Sequence, residues 1–382
     1  MRSYIPDFGE SQALGPVLVG RKQDVLEDNE ENVCQAMKVL HIIPSMEIGG
    51  AQRLLSDLLP LQMKQADVTL LVFRSVKNAL VDKLVEAGVK IVSLDVKSVY
   101  NPLVIFRLKK YIKGYDVVHV HLFPALYWVA FASGSIEGKL IFTEHSTSNS
   151  RRGKRWLLQL ERLVYGKYSE VVSISPQTRT ALNLWLGREC SREVILNGIN
   201  VDAFAGAASG VQSSDSIVMV SRFAPSKDQE TVIRAMRYID ADVRLKLVGD
   251  GPLMAKNIEL AESLGLLHRI DFIGAADDVA RYIAEAKVGV QSSHWEGFGL
   301  TAVEIMACGR PVVASDVPGL KQVVQDAGLL FKAGDPEELA RTVNYLLEDE
   351  QLYLQTARSC AERAAEYDIK MTAEGYWRVF NG

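Results

Sequence analysis

The 382-residue chain has little of several things. Its four cysteines, Cys34, Cys190, Cys308 and Cys360, are scattered and form no CxxC pair. That spacing argues against a zinc site or a disulfide framework and reads as reduced thiols. No apolar run reaches the roughly 20 residues a membrane-spanning helix needs. The N-terminus lacks the basic-then-apolar pattern of a secretion signal. The expected address is the cytoplasm, at most peripheral on the inner face of a membrane. Neither sign of charge dominates: 43 Lys and Arg face 47 Asp and Glu, for a net charge of -4. Global charge therefore points to no nucleic-acid partner. No GxGxxG follows any strand-like run, which counts against a nicotinamide or flavin dehydrogenase.

What is present is a regular alternation. Short β-branched runs at 38–44, 67–73, 89–94, 116–121, 139–145, 170–175 and 193–197 are separated mostly by amphipathic stretches. A second series follows at 216–222, 243–250, 270–275, 288–293, 310–315 and 328–331. Apolar strands alternating with helices predict parallel sheets covered on both faces. The expectation is an α/β protein of two doubly wound, Rossmann-like domains facing a cleft, over 38–200 and 216–365. The Gly-, Ala- and Ser-rich stretch 201–215 reads as the linker. The aromatic-rich 366–382 reads as a helix crossing between the domains. Residues 1–37 lack periodicity and read as a poorly ordered extension, with a partner-binding arm as the alternative.

Doubly wound folds bind ligands at the carboxyl ends of their strands. One strand there ends in Ser221-Arg222, and Ser226 with Gln229 forms a capping-box pattern that predicts a helix from Lys227. A guanidinium, an ammonium and free backbone N–H groups together suit a phosphate, although a solvated Arg and Lys is the common alternative. Gly249 and Gly251 mark a tight turn; Gly274 ends the next strand, with Asp277 as candidate N-cap. The stretch 294-HWEGFGLTAVEIMACGRPVVASD-316 holds two carboxylates eight apart. Gly297 and Gly299 free the backbone beside Glu296, and a helix from about Leu300 carries Glu304 in an otherwise apolar setting. A carboxylate there either accepts ribose hydroxyls or pairs with a cation such as Arg310.

In the first half, Gly49-Gly50 opens a strand-to-helix loop able to admit a phosphate or sugar. His145 ends a strand. His119 and His121 alternate with valines and read as sheet residues, with His121 facing the cleft as the alternative. The segment 151-RRGKRWLLQLERLVYGKYSE-170 predicts a helix with Trp156, Leu157, Leu160 and Leu163 on one side. It reads as a core helix with a solvated basic end; the alternative is a patch for anionic lipid.

From Lys38 onward these motifs resemble the group-1, retaining glycosyltransferases of the GT-B type. The paired glutamates in EGFGLTAVE, the MACGRPVVAS that follows, Ser221-Arg222 with Lys227, Gly-Asp-Gly-Pro, His145 and Gly49-Gly50 carry the resemblance. It implies that Arg222 and Lys227 hold the donor diphosphate and that Glu304 binds ribose. Glu296, with Gly297, Phe298, Gly299 and Leu300, would hold the donor sugar. His145 would lie beside the transferred sugar, Gly49 and Gly50 would close over the diphosphate, and Gly274 would edge the base pocket. The implied reaction moves a hexosyl unit from a nucleoside-diphosphate sugar, UDP expected ahead of GDP, to a glycan or lipid-linked acceptor. No DxD occupies a suitable loop, so neither metal nor cofactor is expected. The same resemblance admits a sugar-nucleotide 2-epimerase or a catalytically silent scaffold. The basic segment would then be a peripheral membrane contact through 151–168.

Overall fold

The computed structural model describes residues 36–382 apart from Ser148 and Ser150. The extension expected over 1–37 lies outside the described residues, except for its last two positions. Seven strands form a first parallel sheet: β1 (Lys38–Ser45), β2 (Asp67–Arg74), β3 (Lys90–Ser93), β4 (Val117–His121), β5 (Lys139–Glu144), β6 (Glu170–Ser173) and β7 (Glu193–Val194). Six more form a second: β8 (Ser214–Val220), β9 (Arg244–Val248), β10 (Ile270–Gly274), β11 (Ala286–Gln291), β12 (Val312–Ser315) and β13 (Leu329–Phe331). Their spatial orders are β3-β2-β1-β4-β5-β6-β7 and β10-β9-β8-β11-β12-β13. Both reverse direction beside the first strand of the set, the switch point where doubly wound sheets open a crevice.

Both faces of each sheet are buried, as parallel pairing requires. Along β1, Val39 and Ile43 pack beneath the helices Gly50–Gln62 and Ile369–Asn381. Leu40 and Ile42 pack beneath the opposite layer, with Leu126, Val164 and Tyr165. The period of two along a strand divides the chain between these cores. The second sheet does the same: Val218 and Val220 face one layer, Ile217 and Met219 the other.

Two expectations change. The stretch 201–215 is not a bare linker: Val201–Ala208 is a helix, capped by Asn200 accepting from the Ala203 N–H at 3.1 Å, and β8 begins at Ser214. Ala is the best helix former, so an Ala-rich run with a capping Asn folds once Val201 and Phe204 have a core to meet. In the segment 151–170 the regular helix is short, Leu158–Tyr165, after a single turn at Arg155–Leu157. Its buried side is Glu161, Val164 and Tyr165, whereas Trp156 is 77% and Leu163 54% exposed. The side chains expected to form its core stripe thus lie partly in water.

The chain ends by crossing back. Helix Glu350–Ala365 packs on Leu300–Ala307 of the second half, while Ile369–Asn381 places Tyr376 and Phe380 under the first sheet. Among the described residues no helix is long and apolar enough to cross a membrane. Tyr376 is wholly buried and its hydroxyl lies 3.1 Å from Thr143 Oγ1 on β5. Tyr376→Ala is expected to cost about 3–5 kcal/mol, the usual loss for emptying an aromatic site. Urea unfolding checks this; a loss under about 1 kcal/mol would mean that the last helix adds little to the cooperative unit.

Candidate functional site

The carboxyl ends of β1, β8 and β11 converge on the space between the sheets, and each connection there is built for close approach. The helix Gly50–Gln62 starts after Gly49 with no side chain capping its first N–H groups. The helix Leu300–Ala307 starts the same way after Gly299, whose φ of +91° favours glycine. A Cβ placed on Gly50 would sit 4.0 Å from Leu300 Cδ1, so the two uncapped ends face each other across the cleft. Free N–H groups at a helix start, with the partial positive charge of the helix behind them, form an anion site.

Lys227 stands at one edge. It is not in a helix, as the capping pattern predicted: 224–227 form a turn, and the helix is Gln229–Ala235, capped by Asp228. The Gln229 side chain instead reaches back to Ser221 Oγ and the Arg222 carbonyl, each at 2.9 Å. Ser292 donates to the carbonyls of Lys227 and Asp228 at 3.1 and 2.8 Å, which fixes this turn to the end of β11. The Lys227 ammonium pairs with the Glu296 carboxylate. Arg222 is exposed, and its guanidinium has no partner among the described residues. Glu296 also accepts from the Gly297 N–H at 3.1 Å. Phe298 is buried edge-on against Tyr367, at 5.4 Å between ring centres, so only its backbone is available to a ligand. Gly274 ends β10 with φ +81° and accepts from the Gly249 N–H at 2.8 Å.

Glu304 is 5% exposed, and its partner is not Arg310. Arg310 instead donates to the Ala284 carbonyl at 2.6 Å. The cation beside Glu304 is Arg53, from the first half, at 3.5 Å, and Glu304 Oε2 has no hydrogen bond. The pair therefore spans the cleft and leaves one carboxylate oxygen open. A cavity of about 380 Å³ opens here, lined by Arg53, Leu300, Glu304, Asn200, Ala276 and Asp277. The cap of the following helix is Asp278, accepting from the Arg281 N–H, rather than Asp277. Ser175 Oγ, 3.4 Å from the Gly297 carbonyl, is a further link between the halves.

A second cavity, of about 340 Å³, lies wholly in the first half, at the carboxyl ends of β1, β2 and β4. Ser45, Gln52, Arg74, Lys97, Tyr100 and Phe123 line it. The sequence reading missed Arg74, Lys97 and Tyr100; the signal for Arg74 was its place as the last residue of β2. His145, one residue past β5, lines neither cavity. Burial lowers its pKa to about 4, so the ring is neutral.

The basic segment after His145 is also placed differently from its expectation. Arg151 Nε donates to Glu161 at 2.8 Å, and Glu161 also takes the Tyr127 hydroxyl and Trp185 Nε1. Arg152 pairs with Glu144 at 3.3 Å and donates to the Ser146 carbonyl at 3.0 Å. These two arginines are internal struts for the loop beyond His145. Among the described residues, His41, His119 and His121 bring metal-capable atoms within 4.8 Å of one another, but under the last helix rather than in the cleft.

Comparison with known proteins agrees across most of the chain. The family description "Glycosyl transferases group 1" matches residues 209–367, and "Glycosyltransferase Family 4" matches residues 48–203. N-acetyl-alpha-D-glucosaminyl L-malate synthase of Bacillus anthracis is 35% identical over 162 residues, spanning 41% of this chain and 42% of that protein. Phosphatidyl-myo-inositol mannosyltransferase of Mycobacterium leprae is 27% identical over 296 residues, 74% of this chain and 78% of that one. HepE of Anabaena, solved with UDP and glucose, superposes with a TM-score of 0.79 at 24% identity, covering 90% of this chain and 99% of the other.

Burial raises the Glu304 pKa against the opposing pull of Arg53. The folded state thus binds this proton more tightly than the unfolded chain. The group favours folding below the unfolded carboxylate value of about 4.3 and loses that contribution as pH rises through its raised folded value. Glu304→Gln removes this dependence. The melting temperature of the variant relative to the parent should climb between pH 4 and 7; a difference flat with pH would show that the carboxylate titrates normally.

Proposed function

The chain belongs to the group 1 glycosyltransferases of the GT-B fold, and from that premise we propose that it is a retaining hexosyltransferase using a nucleoside-diphosphate sugar without a metal. The observation that carries this reading is the pair of uncapped helix starts, at Gly50 and Leu300, facing each other across the cleft, with Lys227 held beside them by Glu296. In this reading, charge develops on the leaving diphosphate. Fixed cations and preorganised N–H groups are what stabilise it. Glu304, which lines the cavity and keeps one buried oxygen without a partner among the described residues, is suited to accept the ribose hydroxyls. Glu296 would exchange its bond to Lys227 for the sugar. The departing phosphate would take the acceptor's proton on the same face, so no protein base is required. Domain closure would exclude water and suppress hydrolysis. HepE was solved with UDP-glucose, which supports UDP as the nucleotide here.

The acceptor would occupy the cavity at Arg74 and Lys97. Arg74 is paired with Glu47, which leaves Lys97 to meet an anionic group. The curated relatives act, by name, on L-malate and on phosphatidyl-myo-inositol, both anionic. A glycan or lipid-linked acceptor bearing phosphate or carboxylate fits that chemistry. Exposed Trp156 and Leu163, beside Lys154 and Arg155, support a membrane contact through 151–168.

Calorimetric titration with UDP and GDP, with and without magnesium, is the test. Metal-independent UDP binding is expected; binding of neither nucleotide overturns the donor assignment. Product formed from the sugar nucleotide with no acceptor present would instead mark a 2-epimerase. Lys227→Ala should lower transfer by at least roughly tenfold through loss of charge-assisted contacts. Unchanged kinetics would remove Lys227 from the site.

A further inference from the structure

Polar side chains form a stripe through the apolar face of the first sheet. His41 is in register with His119, and His121, Thr143 and His145 follow on the same face by the period of two. All but His145 are wholly or almost wholly buried. Three rings form a chain: His41 Nδ1 lies 3.2 Å from His121 Nε2, and His121 Nδ1 lies 3.1 Å from His145 Nε2. His119 is a side branch, with Nε2 at 2.7 Å from Thr143 Oγ1 and thence to Tyr376. Beyond His41 lies Gln62, fully buried on the helix Gly50–Gln62, whose amide acts on His41 but forms no well-aligned hydrogen bond.

Burial lowers the pKa of every ring in this chain, His41 to about 3. A neutral imidazole has one donor and one acceptor nitrogen. His121 must therefore donate on one side and accept on the other if both bonds are made. The bonds run Nδ1 to Nε2 twice, so two states exist. In one, all three rings carry the proton on Nδ1; in the other, all three carry it on Nε2. Gln62 stands by His41 Nε2 without a formed hydrogen bond; a shift of its side chain would let it donate to that atom in the first state or accept from it in the second. The amide serves either state by turning over.

We propose that His121 and His41, with Gln62 behind them, are positioning residues that fix the tautomer and orientation of His145. His145 Nδ1 is the far end of the chain, a buried atom with no hydrogen-bond partner among the described residues. The relay decides whether that atom carries a proton or a lone pair. The functional part of the proposal rests on the group 1 reading of the chain and on the place beside the transferred sugar that the sequence resemblance implies for His145. The alternative occupant is a metal ion on His41, His119 and His121. Against it, His41 Nδ1, His121 Nε2 and His119 Nε2 are already engaged, the first two with each other and the third with Thr143 Oγ1.

Long-range ¹⁵N–¹H correlation spectra of the full chain, labelled at histidine, test the relay. The expected result is one shared tautomer at His41, His121 and His145. Opposite tautomers at His121 and His145, or equimolar metal in the purified protein, would overturn it. In His121→Phe and in the milder Gln62→Leu, the His145 signal should move toward a mixture of tautomers. In His121→Phe, kcat should fall by about tenfold or more, the scale of a misplaced reacting group, with the UDP dissociation constant and donor KM held within a few fold. His121→Gln, which keeps one donor and one acceptor, should recover part of the loss. An unchanged His145 tautomer in both His121→Phe and Gln62→Leu overturns the relay. So does an unchanged kcat in a folded His121→Phe protein that turns over. If the parent protein binds no nucleotide, the donor reading fails while the tautomer measurement still decides the relay.

Discussion

Every helix begins with backbone N–H groups that no residue of the same helix can satisfy. Most helices here answer that demand locally, as Asn78, Ser175, Asn200, Asp228, Asp278, Asp335 and Asp349 do with their side chains. Others do not, and two of these, the helices opening at Gly50 and Leu300 behind Gly49 and Gly299, face each other across the cleft. The rest of the cleft is arranged around this. Gly299 turns the chain into the second helix start, the tie from Ser292 seats Lys227 at its edge, and Glu304 lies one turn in, facing Arg53. The two sheets supply the rigid frame that keeps both open ends aimed at one space.

The fold was legible because parallel sheets advertise themselves: apolar runs with no polar alternation, separated by amphipathic stretches, leave few other architectures. What misled was local. Ser226 and Gln229 matched a capping box, but Asp228 is nearer the helix and its carboxylate accepts from Thr231 at 2.6 Å, so the cap moved. Arg310 was the obvious partner for Glu304 in sequence. Arg53, about 250 residues earlier, was not, because a contact between sheets leaves no periodic trace. The same holds for Lys227 and Glu296: their presence was readable, their pairing was not. The histidines on β1, β4 and after β5 could have been placed on one face by counting in twos, had the strand register been known.

The loop after His145 shows how burial changes the meaning of charge. Arg151 and Arg152 looked like solvated or lipid-facing cations. They meet Glu161 and Glu144, two carboxylates nearly without water contact, and Arg151 lies over the Phe123 ring at 4.5 Å. A carboxylate placed in that core requires a cation of fixed geometry, and arginine's planar fork supplies it. The cost of that network is repaid in position, since the backbone following His145 is tied at Ser146 to the core beneath it.

Two ion pairs internal to the protein occupy the cleft: Lys227 holds Glu296, and Arg53 holds Glu304. A ligand that takes Lys227 or Glu296 must break their mutual bond, so binding at those two side chains is an exchange rather than a gain. Exchange lowers affinity, but it also lowers the barrier to leaving, because the displaced partners are waiting a few ångströms away. On the proposed reading, in which a nucleoside diphosphate leaves after transfer, this exchange would shorten its residence. The internal ion pairs would then act as a competing occupant that is never depleted, and the leaving nucleotide would be displaced by the same contacts that its precursor had to break.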